Sequence, residues 1–318
     1  MRVGVGVWSM QSVAHRPTSQ ARLYRWLVED ARLAEQVGLD SLWLSEHHFW
    51  YDGHCPAMLP AAGAVLGATD RLGVGTAVLL LPMHDPAGVA DDALRLAALS
   101  GGRFQLGVGL GYREAEFDGF GIRRRDRGRL MDHHLGVLLD RWRQASGRPA
   151  PVLVGVASQA AAARAGRFGL PVFADSTMST EELALVMASY REAAEAAGVP
   201  VPASQGLQRD VWVTDDPERD WRMLLPELRV MRRQYGGWSF PPEPGEPLPA
   251  YLERLEGDVQ AKLRNLIFGD VPHVVAELRR FEALGFDLVV CRTQFMNVPR
   301  ENLHRSIGSL GRVQEALR

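Results

Sequence analysis

The chain has 318 residues, 46% hydrophobic, 23% charged and 8% aromatic, with a formal net charge of −2, which excludes a disordered or fibrous protein and disfavours a nucleic-acid partner. Its two cysteines, Cys55 and Cys291, form no CxxC pair, so neither a disulfide framework nor a thiolate zinc site is expected. With no basic leader followed by an apolar segment and no apolar run of about 18 residues, the chain reads as cytoplasmic and without a membrane partner.

The pattern opens with a strand over Arg2 to Val7, an amphipathic helix over Ser19 to Val37 and a strand over Ser41 to Leu44, a βαβ start. Gly38 stands where a left-handed residue closes the helix, and Gly169, Gly198 and Gly285 repeat that punctuation. Further strands are predicted at Leu72 to Leu80, Phe104 to Val108, Val152 to Val156, Val172 to Ala174, Asp210 to Thr214 and Leu288 to Cys291. Helices are predicted at Pro56 to Gly67, Pro86 to Leu99, Asp126 to Arg143, Ser158 to Phe168, Thr180 to Ala197, Pro217 to Tyr235 and Val271 to Ala283. Eight strands alternating with helices and no central linker favour one (β/α)8 TIM barrel over residues 1–318, an α/β fold, rather than two doubly wound domains. A late insertion, 236–264, holds the proline-rich Gly236 to Pro249 and an extra helix at Ala250 to Arg264; it reads as a surface excursion or an active-site lid.

In such a barrel the reacting groups stand just after the strands. The second strand runs into Glu46-His47-His48-Phe49, and strand alternation sends the two histidines in different directions, one toward the mouth. A metal reading would recruit His54, Cys55 or His84, but carboxylate-rich loops are lacking and no metal is expected. His133 and His134 fall inside a helix and read as surface or packing residues. The third strand, Gly73 to Pro82, is rich in small residues that either admit a flat ligand or pack tightly in the barrel. Gly107-Val108-Gly109-Leu110-Gly111-Tyr112 ends the fourth strand without a complete GxGxxG, so no dinucleotide fingerprint is present, although backbone approach to a ligand is open there. Ser158 reads as a helix N-cap, whose free amides can serve an anion.

Taken in order, Glu46-His47-His48-Phe49, Gly75-Thr76-Ala77, Gly101-Gly102-Arg103-Phe104-Gln105-Leu106-Gly107-Val108-Gly109 and Phe120-Gly121 resemble the bacterial luciferase-like flavin monooxygenases, as does Gly269-Asp270-Val271-Pro272 near the end. The resemblance implies a (β/α)8 barrel, usually a homodimer, that takes reduced FMN from a separate flavin reductase and reacts it with O2 to a C4a-peroxyflavin, which oxidises a small organic substrate. It implies proton transfer by His47, with Glu46 and His48 beside it, and a non-proline cis peptide at Ala77-Val78 under the flavin ring. It places the cofactor among Thr76, Ala77, Val78, Gly109, Leu110, Tyr112, Arg127 and Ser158. Where luciferase carries a phosphate-binding arginine this chain has Leu110, leaving Arg113, Arg127 or Arg129 to meet the phosphate; Ala157 replaces a glutamate before Ser158. The stretch from Arg143 to Pro151 is shorter than in relatives, which would open the substrate side.

Two other readings stand beside this one: an F420-dependent oxidoreductase transferring hydride on the same barrel, and a flavin-binding relative without turnover. Trp8, Met10, Phe49, Trp50 and Tyr112 near the mouth point to an apolar or aromatic small-molecule substrate, or to rim packing.

Overall fold

The computed structural model describes residues 1–14, 17–146 and 151–318. Strand-forming runs and helices alternate along it. The strands are β1 (Arg2–Trp8), β2 (Ser41–Leu44), β3 (Gly73–Thr76), β4 (Leu79–Leu80), β5 (Phe104–Gly109), β6 (Val152–Val156), β7 (Val172–Ala174), β8 (Gly206–Val213), β9 (Ile267–Gly269) and β10 (Leu288–Arg292). The helices are α1 (Gln20–Gln36), α2 (Met58–Ala68), α3 (Pro86–Leu99), α4 (Glu114–Gly119), α5 (Arg127–Ser146), α6 (Gln159–Arg167), α7 (Thr180–Ala197), α8 (Pro217–Ser239), α9 (Leu248–Leu263), α10 (Val271–Glu282) and α11 (Arg300–Leu317).

All pairings are parallel, in the order β10-β1-β2-β3-β5-β6-β7-β8, and β8 pairs back onto β10, so the sheet closes. This is the expected (β/α)8 barrel. Residues facing outward, such as Val3, Val5, Leu42 and Leu44, bury against the helix ring, while Trp43, Leu153, Phe173, Leu288 and Val290 fill the lumen. Trp43 stacks on Phe173 with ring centroids 5.1 Å apart. Its bulk settles the reading of the third strand: a Cβ on Gly75 would stand 2.3 Å from the Trp43 ring, so that glycine serves packing.

Several boundaries differ from the sequence expectation, each for a local reason. The predicted strand Leu72 to Leu80 is two, β3 and β4, divided at Ala77-Val78, and that peptide bond is cis. β8 begins at Gly206, earlier than predicted, and its far half pairs with the unpredicted short β9 through Val211↔Ile267. The sequence reading also left out α4 and α11. α8 continues to Ser239, past the glycines read as the start of a loop. Those glycines allow close helix packing: a Cβ on Gly236 would lie 2.6 Å from Leu255 of α9. The insertion is therefore the last turn of α8, a turn rich in proline, and α9. Residues 147–150 of the shortened Arg143 to Pro151 stretch lie outside the described residues. Among the described residues, no helix is long and apolar enough to cross a membrane.

Candidate active site

The C-terminal ends of the strands gather the polar residues that the lumen excludes. Glu46 follows β2 and is almost wholly buried. Its Oε1 meets His48 Nε2 at 2.5 Å and His84 Nε2 at 2.6 Å, while its Oε2 accepts the Leu80 backbone N–H at 2.7 Å. Burial alone would raise the carboxyl pKa; the hydrogen bonds from His48 and His84 outweigh it and hold the group at about 2. Glu46, His48 and His84 each offer a ligand atom within 4.8 Å of the others, a spacing suited to a metal. Both nitrogens are instead directed at one carboxylate oxygen. The cluster ties the loop after β2 to the end of β4 and the turn that follows it.

His47 points the other way, as alternation requires. Its Nδ1 lies 2.9 Å from Oε1 of Glu116, a fully buried residue of α4. The same oxygen accepts the His48 backbone N–H at 2.9 Å. A carboxylate can only accept, so Nδ1 carries a hydrogen toward it, the tautomer in which the lone pair of an uncharged ring stands on Nε2. Among the described residues nothing hydrogen-bonds to Nε2.

Four rings wall the imidazole. Trp238 lies 4.9 Å away between centroids, His54 5.1 Å, and Tyr112 and Tyr235 5.8 Å each. His54 is fully buried, with Nδ1 3.0 Å from Asp52 and Nε2 3.4 Å from the Tyr235 hydroxyl; burial lowers its pKa and keeps it neutral. Burial also pushes the Tyr235 hydroxyl up to about 12. Tyr235 and Trp238, three residues apart, present one face of α8 to the mouth. Arg113 stacks between Trp50 and Trp238, 4.9 and 4.6 Å from their ring centres, and donates to the His48 and Phe49 carbonyls. It is thereby committed to the wall, away from any phosphate.

The residues that resemblance assigns to the cofactor fall into two groups. Thr76 is fully buried and its hydroxyl donates to the Gly107 carbonyl at 2.7 Å, so it braces β3 against β5 and has no hydrogen left to donate to a ligand. Val78 fills the space above Gly109, where a Cβ would stand 2.2 Å from Val78 Cγ2. Ala77 is buried, and Val78 and Leu110 are part-buried. Ser158 caps α6, accepting the Ala161 N–H at 3.3 Å, and is exposed at the helix end. Arg127 donates Nη1 to the Arg124 carbonyl at 2.9 Å, but the Nε atoms of both arginines are buried without a partner among the described residues. Gly128, the next residue, is 3.4 Å from Arg164 of α6 when given a Cβ, which places this basic turn beside the Ser158 helix. His134, read as a packing residue, bonds to the Leu81 carbonyl at 3.0 Å. A surface cleft of about 280 Å³, lined by Gly38, Gly311 and Arg318, lies at the opposite face, away from these groups.

Sequence reading missed Glu116, Asp52, Tyr235 and Trp238 as site residues. Glu116 had a signal in the acidic Glu114-Ala115-Glu116 after Tyr112, and the two aromatics had their three-residue spacing.

A closed barrel with a buried His–Glu pair at its mouth is a scaffold that serves many chemistries; the luciferase-like monooxygenase family model matches residues 1–288. The chain belongs to that family. It is 29% identical over 204 residues to the alkanal monooxygenase alpha chain of Photorhabdus luminescens, a match spanning 57% of this chain and 56% of that protein. Among solved structures it is similar to the oxygenating constituent of 3,6-diketocamphane monooxygenase from Pseudomonas putida, in complex with FMN, with TM-score 0.80, 17% identity and coverage of 100% and 98% of the two chains. It is similar in the same measure to an F420-dependent secondary alcohol dehydrogenase, with TM-score 0.78, 19% identity and coverage of 100% and 99%. These two likenesses speak for the fold.

Proposed function

We propose that this protein is a monooxygenase that uses reduced FMN, delivered by a separate flavin reductase, and O2 to oxidise a small apolar or aromatic organic substrate, and that it works as a homodimer in the cytoplasm. The observation that carries the reading is His47 at the barrel mouth, its Nδ1 fixed by Glu116 and its Nε2 unengaged among the described residues. The similarity to an alkanal monooxygenase supports the same chemistry. Bound reduced flavin would supply the electrons that activate O2.

The chain's own residues would do the rest. The Ala77 to Val78 segment, of which Val78 is part-buried, and the Gly109 to Tyr112 turn line the place for the ring, and Leu110 contributes apolar surface. Ser158 at the α6 N-terminus and the unpartnered Nε of Arg127 fit an anionic phosphate. His47 Nε2 accepts or returns a proton during oxidation, and Glu116 stabilises the imidazolium so formed. Glu46 and His48 hold the loop that carries His47. Trp238, Tyr235 and Trp50 exclude water, which protects a reactive oxidant from wasteful breakdown.

The F420 reading draws on the similar fold of an F420-dependent alcohol dehydrogenase. Anaerobic titration with reduced FMN and, separately, with F420 distinguishes the two. Tight binding of reduced FMN, followed on mixing with O2 by a delayed return to oxidised-flavin absorbance, is the expected result. Binding of F420 alone, with O2-independent oxidation of an alcohol, would replace it with hydride transfer.

A further inference from the structure

β8 and β10 run side by side with Asp210 opposite Arg292. Since Leu288 and Val290 face the lumen, alternation puts Arg292 in the layer above them, at the mouth. Arg292 Nε donates to Asp210 Oδ1 at 2.6 Å and its Nη2 reaches Ser176 at 3.4 Å. From above, Arg232 of α8 donates to the other oxygen of the same carboxylate. All three side chains are nearly inaccessible, at 7%, 3% and 2% exposure for Arg292, Arg232 and Asp210.

The charges and donors of this cluster do not balance within it. Two guanidinium groups share one carboxylate, with Arg292 Nη2 also 2.6 Å from Asp210 Oδ1, and of their N–H donors, five each, at most four are engaged among the described residues. The Nε of Arg232 is buried without a partner among the described residues. Neighbouring Asp175 spends one oxygen on the Thr177 N–H and hydroxyl, and Arg209 turns to the carbonyls of Asp175, Gln208 and Met178. Arg232 lies one helical turn before Tyr235, whose ring touches the His47 surroundings. An oxyanion completing the arginine pair would therefore have its organic body beside Tyr235, Trp238 and His47.

We infer that Arg232 and Arg292 form a subsite for an organic carboxylate, so that the substrate is a small apolar or aromatic acid rather than a neutral molecule. This rests on the monooxygenase reading for what happens to the acid, but the binding itself does not. A guanidinium pair recognises a planar carboxylate by charge-assisted hydrogen bonds that a neutral amide cannot match. If the ion pairs served only to pin α8 over the barrel, the site would be indifferent to ligand charge.

The test is tryptophan-fluorescence titration of the full chain with benzoate, its neutral analogue benzamide, and inorganic phosphate. Benzoate is expected to bind about tenfold more tightly than benzamide, a gap that Arg232→Gln removes and the exposed-site control Arg254→Gln preserves. Equal binding of benzoate and benzamide overturns the inference without any variant, as does phosphate binding as tightly as benzoate. Should Arg232→Gln melt early by circular dichroism, Arg232→Lys, which keeps the charge beside Asp210 but loses the planar fork, is expected to narrow the preference; an unchanged preference overturns the subsite. Anaerobic titration of the same preparation with reduced FMN separates the two readings: a carboxylate preference without flavin binding sinks the proposed reaction alone, and flavin binding without the preference sinks the subsite alone.

Discussion

Glu116 Oε1 holds His47 Nδ1 and the backbone N–H of His48 at the same 2.9 Å. One buried oxygen thus fixes both the tautomer of a ring and the path of the chain that carries it. Removing the ring should abolish proton transfer: His47→Ala is expected to lower kcat by about 10²–10⁴-fold while leaving the fold intact. Glu116→Gln keeps an acceptor but loses the charge that stabilises the imidazolium, so it should cost about 10–100-fold and displace the pH profile of kcat. A fall in rate with an unmoved profile would make Glu116 a merely structural neighbour.

How much of this was legible in the sequence follows from the range over which each feature is determined. The barrel was legible because alternation, helix periodicity and closing glycines are local, and Ser41 to Leu44, Val152 to Val156 and Val172 to Ala174 fall where predicted. The EHHF run was legible as chemistry because polar residues cluster at a strand end. Its division of labour was not, since Glu46 chooses His48 and His84, and His47 chooses Glu116, through contacts spanning up to 69 positions. Glycines were ambiguous for a similar reason: Gly75 reads as ligand approach or as tight packing and Gly236 as the start of a loop, yet each makes room for a partner distant in sequence, Trp43 and Leu255.

Glu46 gives the site an acid limit. Its carboxyl lies at about 2 against the ordinary 4.5, so the unfolded chain binds a proton before the folded one does. The stabilisation is therefore complete above about pH 4.5 and is lost as pH falls toward 2, amounting to at most about 3 kcal/mol. Glu46→Gln should be less stable than the parent at neutral pH, and the difference should shrink through that window. Denaturant titrations at stepped pH measure it; a gap that persists at pH 2 would mean that packing, not charge, is what Glu46 provides.

Arg127 carries a prediction that needs no substrate. Its Nε, without a partner among the described residues, and the Ser158 cap are proposed for a phosphate, not for the ring. Arg127→Ala should weaken binding of reduced FMN by about tenfold and leave riboflavin unaffected, because riboflavin lacks the phosphate. Comparable losses for both ligands, measured by anaerobic fluorescence titration, would move the phosphate elsewhere.

Gly109 and Val78 test whether the wall of the site is set by packing. A methyl group at Gly109 would meet Val78 Cγ2 at 2.2 Å and Val78 Cβ at 3.2 Å. The first contact is with a branched side chain that cannot swing clear, since Gly155 is close on its other side, with a would-be Cβ 2.9 Å from Val78 Cγ1. Gly109→Ala is expected to cost about 1–3 kcal/mol by overpacking. Val78→Ala removes the Cγ2 methyl that makes the shortest contact, so the double variant should recover most of that loss in a thermal or denaturant melt. Additive losses would show that Gly109 is needed for its backbone rather than for the room it leaves to Val78.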